Sequence, residues 1–210
     1  MKKVLLQTCC APCSAAILEY LQLNNIEVGI YFYNPNIFPE SEYLHRKDEV
    51  VKYAIKIGIP IIDEDGQINT TKCAYSNSWK DKHAAWKEKT IIYKDEPERG
   101  KRCQLCFDIR MENTAKYASE HGYDTITTAL ASSRWKDLKQ VSKAGFLAAS
   151  HYKNVEYWDK NWRKEGLFER RNILAKQFYN QQYCGCEFGL ENQEKWRRNH
   201  PKTEDSSIID

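Results

Sequence analysis

Seven of the eight cysteines fall in three short segments: Thr8-Cys9-Cys10-Ala11-Pro12-Cys13, Arg102-Cys103-Gln104-Leu105-Cys106 and Tyr183-Cys184-Gly185-Cys186. Thiolates bind soft metals, and four of them complete either a tetrahedral zinc site or an iron–sulfur cube. The two-residue gap between Cys103 and Cys106 lets both reach one centre. Cys9 and Cys10 are adjacent, so their side chains are expected to diverge, which suits two irons of one cluster better than one zinc ion. Cys13, Cys184 and Cys186 are then surplus to a four-thiol cluster. Gly185 permits a tight backbone that turns its two neighbours the same way. A second metal with an open coordination position, the mark of a catalytic rather than a structural site, would use these three. The three segments are therefore expected to converge on one soft-metal site.

Two other chemistries stay open on the cysteine pattern. One is a structural zinc module that binds nucleic acid. The other is a dithiol oxidoreductase on Cys10 and Cys13, since Cys-x-x-Cys ahead of a helix has its first thiol acidified by the helix terminus. Cys73 stands alone and reads as a buried small hydrophobe. The histidines (His45, His83, His121, His151, His200) show no ligand spacing, and no Gly-rich phosphate loop is present.

Elements of two periods must carry these segments. Lys3 to Gln7, Glu27 to Tyr33, Ile59 to Ile62, Tyr123 to Leu130 and Val155 to Trp158 read as strands. Between them, helices are predicted from Ser14 to Leu23, from Ser41 to about Ile57, from Gln104 to His121, from Leu138 to Tyr152 and from Leu167 to Tyr179. Strands alternating with helices predict a Rossmann-like, three-layer α/β fold with a mainly parallel sheet and a C-terminal helical segment. Residues 1–190 form a single metal-cluster domain in this reading, with an irregular insertion at about 65–101 and a polar tail at 191–210. Ligands of such sheets collect beyond the carboxyl ends of the strands. Cys9 and Cys10, Asn34, and Ala131 to Arg134 all follow strands and would share that rim.

Composition narrows the class. Hydrophobic residues make up 41% and charged residues 29%, as in soluble proteins, and the net charge of +3 does not by itself point to nucleic acid. No apolar run approaches a membrane span, and the apolar start is broken at once by Gln7 and Thr8 with no cleavage site after it. A cytoplasmic location is expected, with no membrane partner. In a reducing compartment cysteines serve more often as ligands than as disulfides.

The chain resembles the QueH type of epoxyqueuosine reductase. The resemblance rests on Cys9-Cys10-Ala11-Pro12-Cys13, Tyr33-Asn34-Pro35-Asn36-Ile37, Glu42-Tyr43 with Arg46-Lys47, and Arg102-Cys103-x-x-Cys106 with Arg110. It continues through Thr127-Thr128-Ala129-Leu130, Asn161-Trp162-Arg163-Lys164-Glu165-Gly166 and Gln182-Tyr183-Cys184-Gly185-Cys186. It implies an iron–sulfur oxidoreductase acting on tRNA, which removes the epoxide oxygen from epoxyqueuosine at the wobble position to give queuosine. It also implies a 4Fe-4S cluster, an adjacent mononuclear iron and an external electron donor. Carried over by motif, Cys9, Cys10, Cys103 and Cys106 are the cluster ligands. Cys184 and Cys186 ligate the single iron, with Cys13, which is Asp in some relatives, as the third ligand.

Basic and aromatic residues alternate in Arg134-Trp135-Lys136, Asn161-Trp162-Arg163-Lys164, Arg170-Arg171 and Lys195-Trp196-Arg197-Arg198. That mixture suits phosphate contacts and stacking on splayed bases, equally with solvated helix faces. Arg134, Lys136, Arg163 and Lys164 are the expected RNA contacts.

Overall fold

The computed structural model describes residues 2–63 and 78–200. Five parallel strands form one sheet: β1 (Lys3–Gln7), β2 (Glu27–Phe32), β3 (Ile61–Asp63), β4 (Thr125–Thr128) and β5 (Glu156–Tyr157), in the order β3-β2-β1-β4-β5. The central strand β1 pairs with β2 from Lys3↔Glu27 to Gln7↔Tyr31 and with β4 from Val4↔Thr125 to Gln7↔Thr128. Val4, Leu5 and Leu6 are fully buried, as a strand covered on both faces requires.

The helices are α1 (Ala11–Leu23), α2 (Glu40–Ile57), α3 (Ser78–Thr90), α4 (Lys101–Glu120), α5 (Leu138–Ser150), α6 (Leu167–Ala175) and α7 (Glu187–Asn199). α1 packs on α2 and α6, while α4 packs on α5 and α3. This is the expected three-layer α/β arrangement, with the chain reversing direction across the sheet between β1 and β4. Loops that leave the sheet at such a reversal leave a crevice between them. The cysteine turn after β1 and the 3-10 turn Ala129–Ser132 after β4 form its two sides.

Several boundaries differ from the sequence reading. α1 begins at Ala11 rather than Ser14, because Pro12 is pre-set for a first turn and Cys10, in extended backbone, is the N-cap. α2 starts at Glu40, one residue before Ser41, with Pro39 as its N-cap. The segment read as an irregular insertion contains α3 and a 3-10 turn, Ile91–Tyr93; Cys73 and Tyr75 lie outside the described residues. α6 stops at Ala175, short of Tyr179. The boundary at 190 falls inside α7, so residues 191–199 of the polar tail are helical. Its good helix formers, with Glu187 in the first turn and Arg197 and Arg198 in the last, complement the helix dipole.

The edge strand β5 is only two residues long and depends on packing from α5. Gly145 of α5 lies against the Tyr157 ring so closely that a Cβ there would sit 2.4 Å from Tyr157 Cε2. Gly145→Ala should lower stability by about 1–3 kcal/mol, the scale of overpacking in a closed core. Urea denaturation of the two proteins measures this.

Candidate metal centre

A buried polar network braces the rim. Gln7 at the end of β1, Asn34 beyond β2 and Thr128 at the end of β4 are all buried, and all meet Arg110 of α4 or one another. Arg110 Nη2 donates to Asn34 Oδ1 at 2.8 Å and to Gln7 Oε1 at 3.3 Å. Thr128 Oγ1 donates to Gln7 Oε1 at 2.8 Å, and Asn34 Nδ2 donates to the Thr8 carbonyl at 2.9 Å. The chain immediately after β1, which carries the first cysteines, is thus held from three sides.

The first thiol group stands directly above this network. Cys9, Cys10 and Cys13 have their sulfurs all within 4.8 Å of one another. Cys9 Sγ and Cys10 Sγ are 3.8 Å apart. The expected divergence of the adjacent pair does not occur, because the chain turns from strand into the N-cap of α1 between them. Two sulfurs bound to one tetrahedral ion at zinc–sulfur length stand about 3.8 Å apart, so the spacing suits one metal ion. Gln181 Nε2 donates to Cys10 Sγ at 3.1 Å and to Cys13 Sγ at 3.4 Å.

Cys9 is the acidic member of the trio. It accepts from Cys10 and Cys13, and with the Arg110 and Arg46 charges this outweighs the cost of burial, holding its thiol well below the usual range. Cys10 is pushed well above that range by burial and by its two thiol neighbours. A dithiol nucleophile at Cys10 would need the opposite: an acidified, accessible sulfur. Cys10 is 1% exposed.

The second group comes from α4 and the loop before α7. Cys103, Cys106, Cys184 and Cys186 line one small cavity of about 20 Å³ with Arg102, Arg110 and Lys136. Cys184 Sγ and Cys186 Sγ are 3.4 Å apart. Between them Gly185 takes φ +111°, a backbone that side chains rarely adopt. Backbone N–H groups reach two of these sulfurs: Arg99 N to Cys103 Sγ and Gly189 N to Cys186 Sγ, each at 3.3 Å. Cys184 is held well below the usual thiol range, chiefly because it accepts from Cys186, with Lys136 and Arg46 adding to this against burial. Arg102 is buried, and its Nη1 donates to the carbonyls of Tyr93, Lys94 and Glu96. Among the described residues, its Nε and Nη2 have no hydrogen-bond partner. Four thiols and a buried guanidinium form a donor set for a compact anionic, sulfur-rich group.

The ligand sets that the resemblance implies draw on both groups. Cys9 and Cys10 stand with Cys13, not with Cys103 and Cys106, and Cys184 and Cys186 stand with the α4 pair. The reason lies in the elements. Cys9, Cys10 and Cys13 share one turn and the first turn of α1, while the 183–185 loop is tied down across from α4 by Phe38 N–H donating to the Gly185 carbonyl at 2.7 Å.

A cleft of about 450 Å³ joins the groups, lined by Cys9 and Cys13 on one side and Cys184 on the other. Lys136 belongs to its wall as well as to the small cavity. Burial disfavours the Lys136 charge, but the Cys184 and Cys103 thiols and the Glu98 carboxyl outweigh it and raise its pKa. Glu98, also in the wall and exposed as a whole, is raised above the usual carboxylate range by partial loss of water around its carboxyl and by the nearby Cys184.

The four expected RNA contacts divide. Arg134 and Lys164 are exposed, with the Arg134 guanidinium 4.8 Å from the Trp135 ring centroid. Lys136 faces the thiols. Arg163 Nη2 donates to the carbonyls of Ser133 and, at 2.8 Å, of Lys136, gripping the cleft-side loop. Sequence reasoning missed Gln181 and Glu98, which carry no motif. Cys103, Cys106 and Arg110 did carry one: at i, i+3 and i+7 they share a face of α4.

A doubly wound sheet with seven thiols gathered in two groups at its switch point defines an α/β protein equipped to hold soft metal. The family model described as epoxyqueuosine reductase QueH matches residues 4–192. Relatives bearing that name include one from Haemophilus influenzae, 46% identical over 93% of this chain and 74% of its own length. Another, from Acinetobacter baylyi, is 43% identical over 93% of this chain and 84% of its own, and one from Thermotoga maritima is 31% identical over 90% and 91%. The chain belongs to the epoxyqueuosine reductase QueH family, a family of oxidoreductases. Among the described residues no helix is long and apolar enough to cross a membrane.

Arg163→Ala should free the backbone at 133–136, and amide hydrogen exchange there should quicken at least several-fold while β1 and β4 keep their protection. Exchange mass spectrometry reads both in one experiment.

Proposed function

We propose that this protein removes the epoxide oxygen from epoxyqueuosine at the tRNA wobble position, giving queuosine in the cytoplasm. The observation that carries the reading is a trio of thiols, two of which line the cleft, beside four around the adjoining cavity, with Cys184 bordering both, in a chain of this family. Cys103, Cys106, Cys184 and Cys186 would hold a 4Fe-4S cluster. Cys9, Cys10 and Cys13 would hold a single iron, leaving a position open to the cleft.

The net reaction adds two electrons and two protons: both carbon–oxygen bonds of the epoxide break, a carbon–carbon double bond forms, and the oxygen leaves as water. When bound, the metals supply single-electron transfer from an external donor and Lewis-acid attraction for the epoxide oxygen. The chain supplies the rest. Gln181 fixes the orientation of the Cys10 and Cys13 sulfurs through its amide N–H donors. Arg46 and Arg110 offset the thiolate charge on Cys9. Arg46 is itself held by Glu42 at 2.7 Å and by the Tyr183 carbonyl at 3.3 Å. Glu98, protonated more readily than an ordinary carboxyl, delivers one proton from its carboxyl oxygen to the departing oxygen and the second comes from cleft water, while Lys136, whose raised pKa keeps its proton, holds its positive charge beside the thiolates. Arg134 and Lys164 are the phosphate contacts of this reading, and Arg163 acts by positioning the loop that carries Arg134.

Anaerobic incubation with epoxyqueuosine-containing tRNA and a low-potential reductant, followed by nucleoside mass spectrometry, tests the reaction; unchanged epoxyqueuosine refutes it. Iron and sulfide analysis tests the two thiol groups. Cys9→Ser and Cys13→Ser should each lose about one iron and keep the cluster's visible absorbance, while Cys103→Ser and Cys186→Ser should lose the absorbance itself. Loss of the cluster in Cys9→Ser would instead support shared ligation by Cys9, Cys10, Cys103 and Cys106.

Glu98 must be protonated to act, so turnover should fall as pH rises through its raised pKa. Glu98→Gln should lower turnover about a hundred-fold and remove that descending limb, with iron content unchanged. A pH–rate profile of the two proteins decides the point.

A further inference from the structure

The cleft has two lips, and each carries an exposed indole ring. On one side Trp135, which lines the cleft, is 62% exposed. Its backbone is gripped from two directions: Arg99 Nε donates to the Trp135 carbonyl at 3.2 Å, and Arg163 Nη2 to the flanking carbonyls of Ser133 and Lys136. The Arg134 guanidinium lies over the ring at 4.8 Å. An apolar ring on a doubly anchored loop that leaves most of its surface in water is not placed there by core packing.

The opposite lip is α7. Only its start is buried, at Glu187, Phe188 and Gly189; beyond Leu190 the helix is exposed apart from partly covered Gln193. Asn192 and Gln193 line the cleft, and Gln193 Nε2 donates to the Gln182 carbonyl at 2.6 Å, fixing which face of the helix looks inward. Residues three and four further along share that face, which puts Trp196 on the stripe just above the cleft wall. Trp196 is 61% exposed and is stacked on His200 with ring centroids 4.8 Å apart. Lys195 and Arg197 flank it in sequence, and Arg198 follows. Trp196 lies beyond residue 192, where the family match ends.

We propose that Trp135 and Trp196 form a two-lipped stacking clamp for unpaired nucleotides on either side of the base presented to the cleft. This rests on the tRNA reading above and specifies its binding surface. Every base has a π face, so a ring on each lip takes flanking nucleotides of any sequence, while Arg134, Lys195, Arg197 and Arg198 take their phosphates. Recognition of RNA loops works through splayed bases stacked on aromatic rings, and a rigid indole loses little conformational freedom when it binds. A stem with no loop offers no such faces and would meet only the charges.

The test compares wild type, Trp135→Ala, Trp196→Ala, the double variant and Trp196→Phe, each iron-loaded. Binding is measured to a synthetic RNA stem-loop with an unpaired loop and to a blunt duplex of the same stem. Each alanine variant should weaken stem-loop binding about ten-fold, the scale of one lost base–aromatic stack. The double variant should lose more, Trp196→Phe should keep most of the affinity, and duplex binding should not change. Melting temperatures confirm that loss of these exposed rings leaves the fold intact. Wild-type stem-loop affinity in Trp196→Ala, or equal losses on the duplex, would overturn the clamp. Should the wild type still reduce epoxyqueuosine in tRNA under that outcome, the clamp falls alone; should it neither bind nor reduce that tRNA, the functional reading falls with it.

Discussion

One guanidinium determines whether this rim can exist. Arg110 is 3% exposed, and a charge buried to that degree is tolerated only with acceptors in place. Its acceptors are Gln7 and Asn34, from the ends of two neighbouring strands, and Gln7 in turn accepts from Thr128 at the end of a third. Arg110 Nε has no hydrogen-bond partner among the described residues, so what the strand ends satisfy is the Nη2 side of the guanidinium. Satisfying it sets the heights of the three strand ends relative to α4, and therefore where the cysteine turn begins. The same positive charge then acts upward on Cys9. Structure and reactivity are joined in a single side chain.

Charge also explains why the two thiol groups are neighbours without merging. Each group has one sulfur that ionises first, Cys9 in one and Cys184 in the other, and each faces its own cations. Arg46 contributes to both, and Arg110 and Lys136 border both cavities. Two anionic groups so close would repel strongly in a medium of low dielectric if no cations stood beside them. The shared guanidinium and ammonium groups make a compact two-part site electrostatically possible, and Lys136 is better employed there than on a phosphate.

Much of the architecture was legible in the pattern of residues. Val4-Leu5-Leu6, between polar neighbours and ahead of a Pro-containing turn, reads as a buried strand feeding a helix, and it is one. Gly58 stops α2 in a left-handed C-cap, as its position after Ile57 predicts. α7 was not legible, because apolar residues are sparse along it and, after Leu190, its turns are exposed apart from partly covered Gln193. The thiol-bearing segments, the crevice at the switch point and the metal-binding character were all visible. Their grouping was not: adjacency in sequence predicts that Cys9 and Cys10 diverge, and only the turn from strand to helix reverses that.

By itself, then, the chain's order of residues determined its strands and most of its helices, the parallel sheet, and the chemical identity of the candidate ligands, since hydrophobic period and thiol softness are local properties. The tertiary structure alone decided which sulfurs stand near one another, that Lys136 and Arg163 turn inward, and that Gln181 and Glu98 lie beside the thiols. Those outcomes depend on distances between residues far apart in the chain, and no local pattern encodes a distance set by where a buried arginine must find its acceptors.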